Sequence, residues 1–155
     1  MAIPELMSLS LAEAARSIKS REISPVELPQ AVLGQIDRLD DKINSFITVR
    51  RDQARNAASK AEKEITSGTY RGPMHGIPFA VKDIYATRGT RTTNGSAVFS
   101  DWVPKHDSTA VRRLNNAGGI LIGKNGCSEF ACGDHASIFG PVRNPWNLEH
   151  TPGGS

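Results

Sequence analysis

The sequence predicts an α/β chain, and three observations predict it. An amphipathic stretch closed by Gly118-Gly119 runs straight into the unbroken apolar run Ile120-Leu121-Ile122, which is the helix, turn, strand order of a crossover unit. That run shows no polar alternation, as expected of a strand buried on both faces. The first part of the chain holds capped helices whose apolar residues recur at helical spacing. A length of 155 residues is one domain's worth and enough to bury a core. Apolar residues make up 38% and charged residues 23%, slightly apolar-poor for a globular chain, as either a fragment lacking core partners or an ordinary polar domain would be.

The elements follow in order. Ser10-Leu11-Ala12-Glu13 has the form of a capping box, and a helix runs from Ser10 to about Ser20 with Leu11, Ala14, Ala15 and Ile18 on one face. Ser24-Pro25-Val26-Glu27 starts a second helix with a cap, a proline at the first helical position and a glutamate at the third. Pro29 falls in its second turn, where its missing N–H is still one of the unpaired donors. Asn44 to Val49 is a β-branched and aromatic run, hence a strand. Arg51 to about Thr66 is a helix with a thin alanine stripe (Ala54, Ala57, Ala58, Ala61) and a solvated charged face. Ile77 to Val81 is a short buried strand ending at Lys82. Thr87 to Ser96, rich in Thr, Arg, Gly and Asn, reads as a solvated loop. Asp107-Ser108-Thr109 caps a helix to Asn116, and the strand from Ile120 ends at Lys124, which is assigned to structure or loop anchoring. Ser128 with Glu129 caps a short helix. In the proline-stiffened loop from Phe139, Trp146 is read as packing.

Composition excludes several functions. Nineteen basic against 16 acidic residues leave a net charge of +3 with no clustered Lys/Arg run, so direct nucleic-acid binding is not supported. No apolar run is long enough to span a membrane, and the N-terminus has neither a basic start nor an apolar stretch of the signal-peptide kind. A cytoplasmic location is expected. Cys127 and Cys132 have no second pair to complete a zinc site and are read as packing thiols, and no metal or cofactor is expected.

Chemistry gathers at two places. A lysine closes the apolar run at position 82, and burial disfavours a lysine's charged form, which suits a proton acceptor. A surface lysine at a strand end is the plainer alternative, and Asp83 is either a salt-bridge partner or an outward neighbour. The second place is Thr151-Pro152-Gly153-Gly154-Ser155, where two glycines let a hydroxyl approach other groups closely. A serine beside a neutral lysine is a variant of nucleophile-plus-base chemistry. His135, next to Asp134, is read as a solvated loop residue and stays outside the mechanism.

Gly76-Ile77-Pro78-Phe79-Ala80-Val81-Lys82-Asp83, then Gly140-Pro141-Val142-Arg143-Asn144-Pro145-Trp146, then Pro152-Gly153-Gly154-Ser155 stand in the order and at the spacing of the amidase signature family. The sequence resembles that family over nearly its whole length. The resemblance implies a mixed β-sheet core covered by helices on both faces, of which this chain is the N-terminal portion of a single domain: helical over 1–66, with the α/β core and the Gly-Gly-Ser turn over 73–155. It implies amide hydrolysis by a Ser-Ser-Lys triad through an acyl-enzyme. Lys82 would be the base and Ser155 the bridging serine beside a cis peptide bond. The acyl-forming serine is expected in a second Gly-Gly-Ser motif beyond residue 155. Glu129, Phe130, Gly153 and Gly154 would meet the substrate.

The implied partner is a small-molecule amide, without direct nucleic-acid or membrane contact, and the protein partner is either a second copy in a homodimer or, on the alternative below, amidotransferase subunits. One alternative is the glutaminase component of the tRNA-dependent amidotransferase, its A-type chain, which supplies ammonia to partner subunits. Cys127-Ser128-Glu129-Phe130-Ala131-Cys132 departs from the methionine-containing pattern of that component. The other alternative is an inactive piece with a binding or scaffold role. No activity is expected of residues 1–155 alone.

Overall fold

The computed structural model describes residues 3–132 and 137–153. Helices α1 (Ile3–Ser8), α2 (Leu11–Ser20) and α3 (Glu27–Ile43) come first, followed by strand β1 (Phe46–Val49) and helix α4 (Arg51–Thr66). Strand β2 (Pro78–Lys82), helix α5 (Thr109–Asn116) and strand β3 (Ile120–Asn125) complete the regular elements, with single 3-10 turns at Ala97–Phe99 and Glu129–Ala131. Among the described residues the sheet has three strands in the order β1-β3-β2. β1 pairs antiparallel with β3, Phe46 opposite Asn125 and Val49 opposite Gly123. Ile120 N–H donates to Ile77 O and Asp83 N–H to Asn125 O, so β2 and β3 advance in the same direction. The chain is therefore α/β, with a mixed sheet flanked by helices.

Local sequence explains the helices. Ser10 and Glu13 form the reciprocal capping box: the Glu13 carboxylate accepts the Ser10 N–H at 2.8 Å and the Ser10 hydroxyl accepts the Glu13 N–H. The second helix begins three residues after its capping serine, at Glu27. The Glu27 carboxylate still accepts the Ser24 N–H at 2.7 Å and the Ser24 hydroxyl accepts the Val26 N–H at 2.9 Å. This later start places Pro29 in the first helical turn, where no intrahelical bond is lost. Helix α1 has no counterpart in the sequence reading, because six residues are too few to establish a period.

The residues group into two compact units, Met1–Ile36 with Arg50–Phe79 and Arg113–Ile122, and Asp37–Val49 with Ala80–Arg112 and Gly123–Ser155. In the first, Ala14, Ala15 and Ile18 of α2 meet Leu28 and Ala31 of α3 and Ile65 of α4. Leu11, expected on that face, is 53% exposed in the first turn of α2, and Leu6 of α1 is buried in the core. Each fully buried isoleucine contributes about 1.5–3 kcal/mol of transfer free energy. Gly76 has φ +84°, and a Cβ there would fall 2.6 Å from Pro25 Cβ, so the first glycine of the Gly-Ile-Pro-Phe motif serves packing.

The same unit buries His75 at 1% exposure. Its Nδ1 accepts the Arg71 backbone N–H at 3.1 Å, which leaves the ring proton on Nε2, 3.1 Å from Glu64 Oε2. Glu64 Oε1 also takes the Arg71 guanidinium at 2.6 Å. Burial pushes the imidazole below its ordinary value, opposed by the Glu64 charge. Burial works against the Glu64 carboxylate too, yet the hydrogen bond and charge of Arg71 hold it below the usual range. The cluster borders an open cleft of about 260 Å³ beside α4.

Candidate active site

The second unit contains the end of β2. Lys82 is half-buried there, and its carbonyl accepts the Tyr85 N–H at 3.0 Å, so a tight turn follows the strand at once. β2 as a whole is only half-buried, with Val81 alone fully inside, so the strand expected to be buried is a partly covered one. Adjacent strand residues face opposite sides. Asp83 accordingly turns inward to 0% exposure. Its Oδ2 accepts the Thr93 N–H at 2.8 Å and the Thr93 hydroxyl at 2.5 Å. Its Oδ1 stands 3.3 Å from Lys124 Nζ. Lys124 is itself 0% exposed and donates to Tyr85 O at 2.7 Å and to Thr92 Oγ1 at 2.8 Å. Lys124 is thus the anchor of the loop that leaves the candidate base.

That loop is not the solvated segment its composition suggests. Thr87, Thr90, Thr92, Thr93 and Ser96 are all buried. The hydroxyls of Thr87, Thr92, Thr93 and Ser96 bond within the loop and to Asp83, Lys124 and Glu129 in place of water, while the buried Thr90 hydroxyl has no hydrogen-bond partner among the described residues. Arg91 lies over the Phe139 ring at 5.2 Å. Gly95 N–H donates to Thr93 Oγ1 at 3.1 Å and Phe130 N–H to Asn94 O at 2.7 Å. The Ser96 hydroxyl donates to the Glu129 carboxylate at 2.6 Å. Glu129 is therefore tied to the loop, and the Ser128 side chain makes no capping bond to the turn that Glu129 opens. Phe130 is held at φ +52° and Ala131 at +54°, a left-handed pair that costs about 1–2 kcal/mol per residue. The Phe130 ring is 48% exposed and meets Phe99 edge-on at 6.1 Å.

Cys127 is buried in this cluster and Cys132 is exposed. Burial pushes the Cys127 thiol up, Asp83 adds to the effect, and Lys82 and Lys124 oppose it. One thiol therefore lies in the field of all three charges. Among the described residues no three His, Cys, Asp or Glu side chains converge to hold a metal ion. No helix there is long and apolar enough to cross a membrane.

The family model described as Amidase matches residues 27–155. The chain belongs to the amidase signature family. Its relatives within that family include the A-type chain of the glutamyl-tRNA(Gln) amidotransferase of Geobacter metallireducens, 44% identical over 97% of this chain and 31% of that one. Among solved structures, the native peptide amidase of Stenotrophomonas maltophilia superposes with a TM-score of 0.91 at 31% identity, over 99% of this chain and 33% of that one. A bacterial aryl acylamidase of the same family gives 0.87 at 29% identity, over 95% and 31%. The chain thus spans about a third of the length of its relatives.

Within this amidase signature fold, the residues singled out from sequence fall as follows. Lys82 ends β2, and Glu129 and Phe130 share a 3-10 turn bonded to the Asn94–Ser96 segment. Gly153 is exposed at φ +94°, its N–H on Thr151 Oγ1 at 3.0 Å. Gly154, Ser155 and the peptide bond between them lie outside the described residues, as does His135. Trp146 is 94% exposed and does not pack. Asn144 Oδ1 accepts its N–H at 2.9 Å in a tight turn that stands the ring away from the described residues. Sequence reasoning missed Thr92, Thr93 and Ser96 and left Asp83 open. The available signal was hydroxyls filling a stretch where an exposed loop would carry Lys and Glu.

Proposed function

We propose that this chain forms the base-bearing part of a glutamine-hydrolysing amidotransferase component, which frees ammonia for transfer by a partner subunit. The observation that carries the reading is the 44% identity to an amidotransferase A-type chain over 97% of the sequence, against 31% to the peptide amidase. The half-buried strand-end position of Lys82 supports the role of base. In the proposed scheme a serine from beyond residue 155 attacks the amide carbonyl. Neutral Lys82 takes the attacking proton through the Ser155 hydroxyl, which donates and accepts at once. The same relay returns the proton to the departing nitrogen, and ammonia leaves. Water then enters along the same route to release the acid. Backbone N–H groups beside the attacking serine would hold the oxyanion. On this reading residues 1–155 are the N-terminal portion of one domain, and Glu129, Phe130, Gly153 and Gly154 border the substrate.

A second reading, a stand-alone amidase acting on a small or aryl amide, is favoured by the TM-score of 0.91 to the peptide amidase. The test is made in the protein carried to the full length of its relatives. Ammonia release from glutamine that needs a second subunit supports the first reading, and partner-independent hydrolysis of other amides supports the second. Loss of all turnover in a folded Lys82→Ala variant is expected under both, and full activity in it would remove Lys82 from the mechanism.

A further inference from the structure

We propose that Lys124 and Asp83 form a positioning pair for the reaction assigned to Lys82, setting both where that amine sits and the charge it meets. The inference rests on Lys82 being the base. Geometry supplies the first half. Asp83 follows Lys82 directly, and its carboxylate has no freedom, being held by Thr93 N–H, Thr93 hydroxyl and Lys124. Lys124 in turn grips Tyr85 O and Thr92 Oγ1, so the two residues pin the chain on the C-terminal side of Lys82 at four points. A base displaced by about 1 Å loses on the order of 100-fold in rate.

Charge supplies the second half. Among the described residues, Lys82 and Asp83 at the end of β2 and Lys124 on β3 are the charges that act together on Cys127 in the following loop. Tyr85 and Thr92 present only uncharged oxygens to the pair. An isolated carboxylate next to the base would favour the base's cation and remove it from service. An isolated ammonium would do the opposite. Paired, the two cancel, and the base is left to its own surroundings.

The test uses the full-length protein and three variants besides Lys82→Ala. In Lys124→Met the Asp83 carboxylate loses its cation. The acid limb of the kcat profile is expected to move up by about one pH unit, with kcat down at least about 10-fold and KM within about twofold. In Asp83→Asn the Lys124 cation is unopposed, and the limb is expected to move down. Opposite displacements are what a merely structural role would not give. Thr92→Val keeps both charges and frees one Lys124 hydrogen, so kcat should fall several-fold with the profile unmoved. Unmoved limbs in folded Lys124→Met and Asp83→Asn overturn the proposal. If either fails to fold, unchanged kcat in Thr92→Val does so. Activity retained in Lys82→Ala would instead refute the base assignment, which is a separate failure.

Discussion

Replacing Gly76 by alanine separates two costs that are usually confounded. Gly76 is buried at φ +84°, and its N–H donates to Gly118 O at 2.9 Å. An alanine there pays for the left-handed backbone, about 1–2 kcal/mol. It also puts a Cβ 2.6 Å from Pro25 Cβ and 3.5 Å from two Ile18 carbons. Pro25 is a ring in a fixed turn ahead of α3, so the contact cannot be relieved by a rotamer change, and the overpacking costs about 1–3 kcal/mol more. The expected total is about 2–5 kcal/mol.

Gly68 provides the control. Its φ is +94°, and a Cβ there would meet nothing within 4 Å. Gly68→Ala should therefore lose only the backbone cost, about 1–2 kcal/mol. Any gain from stiffening the unfolded chain is common to both variants and cancels in the difference. Urea unfolding of the two variants and the parent, followed by far-UV circular dichroism at constant m, reads each loss directly. Gly76→Ala should be the worse by about 1–3 kcal/mol. Equal losses would show that the Pro25 contact relaxes freely, and that Gly76 is fixed by its backbone angle alone.

The remaining predictions concern charge and thiols. Lys124→Met should destabilise by about 3–5 kcal/mol, whereas the Lys124→Met/Asp83→Asn double variant should lose less than the sum of the two single losses, both read in urea. The folded His75 imidazole holds its proton less tightly than the unfolded one, so as pH is lowered through about 6.5 the unfolded state binds more protons and stability is lost. His75→Gln should flatten that part of a stability–pH curve. The lowered Glu64 carboxylate produces a further loss only below about pH 4.5. With a disulfide reagent at pH 8, exposed Cys132 should react at once and Cys127 only on unfolding, because burial raises its thiol and shields it. Ser10→Ala should cost about 1 kcal/mol through loss of the capping box, measured by the same urea unfolding.

Local rules made much of the fold legible. The capping box at Ser10, the alanine stripe of α4 and the glycine stop after α5 each act within a few residues, and those helices stand where the signals put them, whereas α3 starts three residues after Ser24. Burial across the chain was less legible. The threonine loop after Lys82 looked solvated because polarity by composition does not distinguish hydroxyls facing water from hydroxyls facing one another. Its burial depends on Asp83 and Lys124, which are 41 positions apart and meet only because β2 and β3 run side by side. Trp146 failed the other way, an aromatic expected to pack and found 94% exposed. A turn stiffened by proline and asparagine fixes the backbone without saying what the ring touches.

The two strand-end lysines show why burial by itself is a poor guide to a basic residue. Lys124 is the more buried of the pair, at 0% exposure, and desolvation alone would nominate it as the neutral amine. An ammonium has three hydrogens and no acceptor. Lys124 donates two of them to Tyr85 O at 2.7 Å and Thr92 Oγ1 at 2.8 Å, and the Asp83 carboxylate lies 3.3 Å from its nitrogen as an ion-pair partner. Two hydrogen bonds and an adjacent carboxylate occupy the Lys124 amine in holding the loop. A residue that must alternate between taking and giving a proton needs the reverse arrangement, partial cover and a neighbour able to switch between donor and acceptor. The end of β2 meets the first condition at Lys82, and a hydroxyl is the side chain that meets the second. This is the physical reason for preferring the less buried lysine as the base.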